Sequence, residues 1–167
     1  KVLAHREVKI AGDGEILVKG RTLFKGYVKN DSLELPVDRE GYFHTNDTGS
    51  VDGGDNLFVG GRKDLMFISG GENIYPEQIE SVIESVAGVE IAIVVAANDE
   101  KFGKKTVAFV KMQKGCDFDP WTIESELRTK LESFKVPKAI YPWPKESGGS
   151  MKPDRNFFKR LVEGMKQ

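Results

Sequence analysis

The stretch Gly60-Gly61-Arg62-Lys63-Asp64-Leu65-Met66-Phe67-Ile68-Ser69-Gly70-Gly71-Glu72-Asn73-Ile74-Tyr75-Pro76-Glu77-Gln78-Ile79-Glu80 divides the chain into two different kinds of sequence. An aromatic-rich segment ends at Gly60 and Gly61, and the charged triplet Arg62-Lys63-Asp64 stands where a linker between two packed bodies is expected. The short apolar run from Leu65 to Ile68 reads as a new strand, closed by Ser69-Gly70-Gly71. Pro76 then opens a helix at its first position, where a missing N–H removes no intrahelical bond. The expected division is therefore 1–61 as the end of one domain, 62–64 as a hinge, and 65–167 as a second domain.

Downstream, Ile79, Val82, Ile83 and Val86 recur at helical spacing, giving one buried stripe before Gly88 ends the helix. Val89 to Ala97 is a near-continuous apolar run rich in β-branched residues, as expected of a central strand covered by helices on one face. Thr106 to Met112 reads as the next strand. Asp119 and Pro120 supply an N-cap and first-turn proline for a helix carrying Ile123, Leu127, Leu131 and Phe134, which Val136-Pro137 stops. Ala139-Ile140-Tyr141 is a short last strand, and Asp154 can cap a final amphipathic helix through Phe157, Phe158, Leu161 and Val162. The order strand, helix, strand, strand, helix, strand matches the split βαβ arrangement. RNA-recognition modules share that order and form a second reading. Lys105 to Met112 partly resembles their aromatic strand, but Val107 and Met112 occupy aromatic places and Thr106 replaces glycine.

Upstream, residues 1–60 are β-rich and punctuated by glycine. Glu7 to Ile10 and Glu15 to Val18 read as strands of a hairpin turned at Ala11-Gly12-Asp13-Gly14. A polar loop is expected from Lys29 to Glu40. Ser50-Val51-Asp52 and Asn56 to Val59 form a second hairpin around Gly53-Gly54-Asp55. So few strands rarely close a core, so this half is expected to be the remnant of a barrel whose other strands lie upstream. The fold class is α+β.

Composition excludes several classes. The chain has 167 residues, 39% hydrophobic and 31% charged, with 25 Lys plus Arg against 26 Asp plus Glu. A net charge of −1 offers no footprint for nucleic acid or an anionic membrane. The single Cys116 cannot make an internal disulfide and has no Cys or His cluster beside it, so no metal site is expected and a cytoplasmic address is the default. No apolar run approaches the roughly 18 residues of a membrane span. The chain starts in strand-like sequence without Met, which suggests a fragment of a longer protein.

Gly61-Arg62-x-Asp64, the apolar run after it, Gly70-Gly71-x-x-Ile74-x-Pro76 and Ile79-Glu80 together resemble the hinge signature of the adenylate-forming superfamily, which contains acyl-CoA synthetases, luciferases and nonribosomal peptide adenylation domains. Two upstream stretches agree. Gly14-Glu15-Ile16-Leu17-Val18-Lys19-Gly20 with Gly26-Tyr27 is similar to the family's Gly-Glu-Ile-x-Val-x-Gly and Gly-Tyr segment. Gly41-Tyr42-Phe43-His44-Thr45-Asn46-Asp47-Thr48-Gly49 is similar to its Gly-Trp-Phe-x-Thr-Gly-Asp-x-Gly element, with Asn46 in place of a glycine. Asn tolerates left-handed backbone, so the turn can survive. The loop Trp143 to Arg155 resembles the family's terminal Gly-Lys-x-x-Arg loop, with Lys152 in the catalytic position.

The resemblance implies roles. Asp47 and Arg62 would hold the ATP ribose, an ionised carboxylate being an acceptor for both hydroxyl protons at once. A second reading has Asp47 closing a turn through its own backbone. Lys152 would orient carboxylate and α-phosphate and offset charge growing on the bridging oxygens. Asp64 would be the hinge about which the second domain, a small lid with a central sheet flanked by helices, rotates after adenylation. Ser69, Gly70 and Gly71 would then border the pantetheine arm of coenzyme A. ATP, Mg²⁺ and coenzyme A are the implied cofactors, with the metal site outside this chain. A small carboxylic acid and the missing N-terminal domain are the implied partners, and the fragment alone is expected to be inactive. Gly148-Gly149-x-x-Lys152-x-x-Arg155, Phe67 to Glu72 and Asp99-Glu100-Lys101-Phe102-Gly103 are similar to the bacterial o-succinylbenzoate–CoA ligases of menaquinone synthesis. Other acyl- or aryl-CoA synthetases and carrier-protein adenylation domains remain alternatives.

Overall fold

The computed structural model describes residues 2, 4–145 and 153–165, which fall into two compact units, Lys1–Asp64 and Leu65–Gln167. In the first, β1 (Arg6–Ile10) and β2 (Glu15–Gly20) pair antiparallel, with Ile10 opposite Ile16. This is the hairpin that the Gly-Asp-Gly turn calls for: Gly14 sits at φ +84° and its N–H donates to the Ala11 carbonyl. β5 (Phe43–Val51) and β6 (Leu57–Arg62) follow, and the sheet runs β1-β2-β5-β6. The segment read as a polar loop contains a strand. β3 (Tyr27–Lys29) and β4 (Ser32–Glu34) make a separate ribbon, turned by Asn30 and Asp31 at φ +48° and +60°. Asn and Asp are the residues that tolerate two successive left-handed positions, and their polarity hid the turn.

Among the described residues of this unit only Glu15, Ile16, Leu17 and Thr48 are buried. So small an apolar core contributes little stability, and a buried carboxylate within it needs an explanation.

In the second unit, β7 (Phe67–Ser69) and β8 (Glu72–Ile74) form a tight hairpin, and α1 (Pro76–Glu84) begins with its proline at the first turn. β9 (Val89–Asp99) and β10 (Gly103–Met112) pair antiparallel, and β10 pairs parallel with β11 (Ala139–Pro142) after α2 (Pro120–Lys130). α3 (Arg155–Gly164) closes the unit. Asp119 and Asp154 cap α2 and α3 as expected, accepting from the N–H groups of Trp121 and Asn156.

Four expectations change. The sheet order is β11-β10-β9, so the long apolar strand β9 lies at the edge and β10 is central. Helices cover both faces, not one: Val94, Ala108 and Val110 pack with Ile79, Ile83, Ile123 and Leu127, while Val95, Val107 and Phe109 pack with Phe158 of α3. That two-sided burial explains the unbroken apolar run, since alternate residues feed opposite cores. α2 stops at Lys130; Leu131 is extended (φ −119°, ψ 149°) and packs against the core, like Phe134, from the turn beyond. Finally, β7 pairs with β8 and stays out of the three-stranded sheet, leaving β10 and β11 as direct neighbours. The split βαβ arrangement, and with it the RNA-recognition reading, loses its architectural basis.

Candidate active site

Asp47 and Arg62 are register partners across β5 and β6, so their side chains emerge together. Arg62 Nη1 lies 3.5 Å from Asp47 Oδ1 and donates to the Thr45 carbonyl at 3.3 Å. The rest of the guanidinium grips Asp64 as a fork, Nε to Oδ1 at 2.9 Å and Nη2 to Oδ2 at 3.1 Å. One cation thus ties together the carboxylate expected at the ribose and the residue expected at the hinge. The turn bond at this point comes from Thr45, whose Oγ1 accepts the Asp47 N–H at 3.0 Å and donates to the Ile16 carbonyl at 2.8 Å. The Asp47 carboxylate is left half-exposed beside Arg62.

Two irregularities aim this segment. The β2–β5 register shifts between Glu15 and Leu17, and the β5–β6 register shifts between Thr48 and Gly49. Between them Asn46 takes φ +59°, the left-handed conformation foreseen for it. Bulges of this kind bend a strand and redirect one side chain out of the ladder. Gly49 allows the second shift, because a Cβ there would collide with the Phe58 carbonyl oxygen.

In the second unit, Gly70 and Gly71 are the two central residues of the β7–β8 turn, at φ +59° and +92°. Two positive φ values define the turn type that favours Asn-Gly and Gly-Gly. The Gly70 N–H donates to the Phe102 carbonyl at 3.1 Å, and Ser69 Oγ donates to the Lys104 carbonyl at 2.7 Å, pinning the turn to the β9–β10 end. Backbone conformation alone accounts for both glycines, so their presence does not by itself mark a cofactor passage. Gly71→Ala is expected to cost about 1–2 kcal/mol. Gly70→Asn should cost less, since Asn accepts the left-handed region and its Cβ would meet only the movable ring of half-exposed Phe102, at 3.1 Å. Thermal melting of the two variants checks this; two unchanged melting temperatures would contradict the turn geometry.

Lys152 lies outside the described residues. Arg155, three positions on, is the first residue of α3, and its guanidinium meets Glu80 of α1 with Nη1–Oε1 at 2.5 Å and Nη2–Oε2 at 3.0 Å. Nη1 also donates to the Val94 carbonyl at 2.6 Å, and the Val94 N–H donates to Glu80 Oε1 at 2.7 Å. Sequence reading quoted both residues within motifs but did not pair them, because 75 positions separate them. Glu15 and Phe102 also stand within quoted motifs, but only burial and contact give them a role. No group of three or more His, Cys, Asp or Glu side chains that could hold a metal ion occurs among the described residues.

Comparisons with known proteins agree on one relationship. A family model described as the AMP-binding enzyme C-terminal domain matches residues 78–147. The chain is 44% identical over 140 residues to a 2-succinylbenzoate–CoA ligase of Listeria innocua serovar 6a, covering 84% of this chain and 30% of that enzyme. It is 38% identical over 127 residues to a feruloyl-CoA synthase of an Amycolatopsis species, covering 76% and 26%. Its fold is similar to that of the o-succinylbenzoate CoA synthetase MenE of Bacillus subtilis, solved in complex with its acyl-adenylate intermediate OSB-AMP. That match has a TM-score of 0.81 and 32% identity, covering 95% of this chain and 34% of that one. The chain therefore spans about a third of the length of the relatives it matches.

Proposed function

The chain belongs to the AMP-binding enzymes, whose C-terminal domain it carries, and from that premise we propose that it is the C-terminal part of an ATP-dependent acid–CoA ligase acting on o-succinylbenzoate in menaquinone synthesis. The observation that carries this reading is the Asp47–Arg62 pair, a half-exposed carboxylate and guanidinium held side by side across the bulged β5–β6 ladder. Such a pair offers acceptors for two vicinal hydroxyls and a donor beside them, which is what a ribose presents. Lys152 brings a compact ammonium to the carboxylate and the α-phosphate in the adenylation half-reaction. Asp64 absorbs the backbone rotation that exchanges this arrangement for the thioester-forming one, and the Ser69-Gly70-Gly71 turn then borders the pantetheine arm of coenzyme A. Mg²⁺ would accompany ATP and would be held by residues upstream of these, where it would offset charge on the phosphates. A cytoplasmic location is part of the proposal and rests on the single cysteine with no Cys or His cluster beside it in sequence. No helix among the described residues is long and apolar enough to cross a membrane.

The similarity to a feruloyl-CoA synthase supports a second reading, an aryl-CoA synthetase with a different acid. The test uses the full-length enzyme with o-succinylbenzoate, ferulate and a set of fatty acids, following pyrophosphate release and CoA thioester separately. Both products with o-succinylbenzoate and neither with the others is the expected result, and thioester from ferulate alone establishes the second reading. Pyrophosphate release without thioester, for every acid, overturns the CoA-ligase assignment. In the same assay Asp64→Pro, which locks φ near −65°, should spare pyrophosphate release and block thioester formation; wild-type rates in both halves remove Asp64 as the hinge.

A further inference from the structure

Glu15 is 4% exposed in a unit with almost no other buried residues, and an ionised carboxylate is costly to bury unless partners replace its water. Its neighbours Ile16 and Leu17 show that apolar side chains suit this strand. The two oxygens of Glu15 reach β5, which carries Asp47, and Lys63, the residue that follows Arg62 at the end of β6. Oε1 accepts the N–H of Asn46, the left-handed residue immediately before Asp47, at 2.9 Å. Oε2 accepts from Nζ of Lys63, the residue between Arg62 and Asp64, at 3.0 Å, and lies 3.3 Å from Nδ1 of His44. Lys63 is further held by Asp13 at 2.6 Å, and its own N–H donates to the Asn46 carbonyl at 2.7 Å, closing a ring of contacts. Burial pushes the Glu15 carboxyl up, but the Asn46 N–H, the Lys63 ammonium and the His44 ring outweigh it and hold its pKa below the ordinary carboxylate value. The group is therefore ionised at neutral pH.

We infer that Glu15 is a positioning residue for nucleotide recognition: by holding Asn46 and Lys63 it keeps Asp47 and Arg62 opposite one another, ready for the vicinal hydroxyls of the ribose. The inference rests on the proposed ligase function. Glu15 touches no substrate itself; it acts through the two residues flanking those that do. Without its charge the fold of β2 persists, but the bulge at Asn46 and the end of β6 are free to separate, and the pair that reads the ribose loses its spacing.

The experiment measures kcat/KM for ATP and for 2′,3′-dideoxy-ATP in the pyrophosphate-releasing half-reaction of the full-length enzyme, for wild type, Glu15→Gln and Lys63→Gln, with melting temperatures alongside. Hydrogen bonds to a charged acceptor should make wild type prefer ATP by about tenfold or more. In Glu15→Gln, which keeps an acceptor for the Asn46 N–H and loses the grip on Lys63, that preference should shrink by about fivefold or more through a higher KM for ATP. The dideoxy substrate should be used nearly as before. Lys63→Gln removes the same ion pair from its half-exposed side, where folding tolerates the change, and should shrink the preference in parallel. A preserved preference in both variants, whatever happens to their melting temperatures, overturns the inference and leaves Glu15 a structural residue. A wild-type enzyme that releases no pyrophosphate with the acids tried, or ignores the ribose hydroxyls, overturns the proposed function and the inference with it.

Discussion

Arg155→Ala is expected to remove about 3–5 kcal/mol from the stability of the second unit, because it breaks a buried ion pair from one side. Glu80 is only 11% exposed at its side chain and Arg155 18%. With the guanidinium gone, the carboxylate keeps the Val94 N–H as a partner at 2.7 Å but loses both charged donors, and the Val94 carbonyl loses its own donor as well. Arg155→Lys restores charge without the two-pronged geometry and should fall between alanine and wild type. The double variant Glu80→Met/Arg155→Met should be more stable than Arg155→Ala, since it strands no charge. Both tryptophans, Trp121 and Trp143, belong to the second unit, so fluorescence-detected urea denaturation reports this unit alone. An Arg155→Ala midpoint equal to wild type would show that the pair is too well solvated to matter.

Lys152→Ala in the full-length enzyme is expected to lower acyl-adenylate formation by about two orders of magnitude or more, as removing one preorganised charge contact to a developing oxyanion does. Conversion of supplied acyl-adenylate to thioester should be spared, because the role proposed for the ammonium is confined to the first half-reaction. The split separates the two positions of this motif. A substitution at Arg155 acts through stability and should depress both half-reactions together as temperature rises, whereas Lys152→Ala should melt like wild type and lose one half only. Equal loss of both halves in Lys152→Ala, measured at a temperature where the variant is folded, would make Lys152 a structural residue.

The features legible from the residues alone are those decided within a few positions of themselves. Gly14 turning β1 into β2, Pro76 opening α1, and Asp119 and Asp154 capping α2 and α3 each involve bonds no more than four residues long, so local chemistry suffices to specify them. The left-handed turn at Asn46 belongs to the same class. Even there a local signal can be read two ways: Gly70-Gly71 marks a turn before α1 in either case, and only the pairing of Phe67 with Ile74 makes it a hairpin that stays out of the main sheet.

What the tertiary structure decided is everything that joins distant positions. The apolar run of β9 states that both faces are buried, but it could not say that β10 takes the centre, because strand order is a choice among partners and not a property of one strand. Leu131 and Phe134 carry the helical period past the end of α2, and packing satisfied them from a turn instead. Glu15 shows the difference most clearly. Its place in a Gly-Glu-Ile stretch is visible at once, yet its meaning comes from Asn46 and Lys63, 31 and 48 positions away. A buried carboxylate is defined by the groups that replace its water, and only folding brings those groups to it.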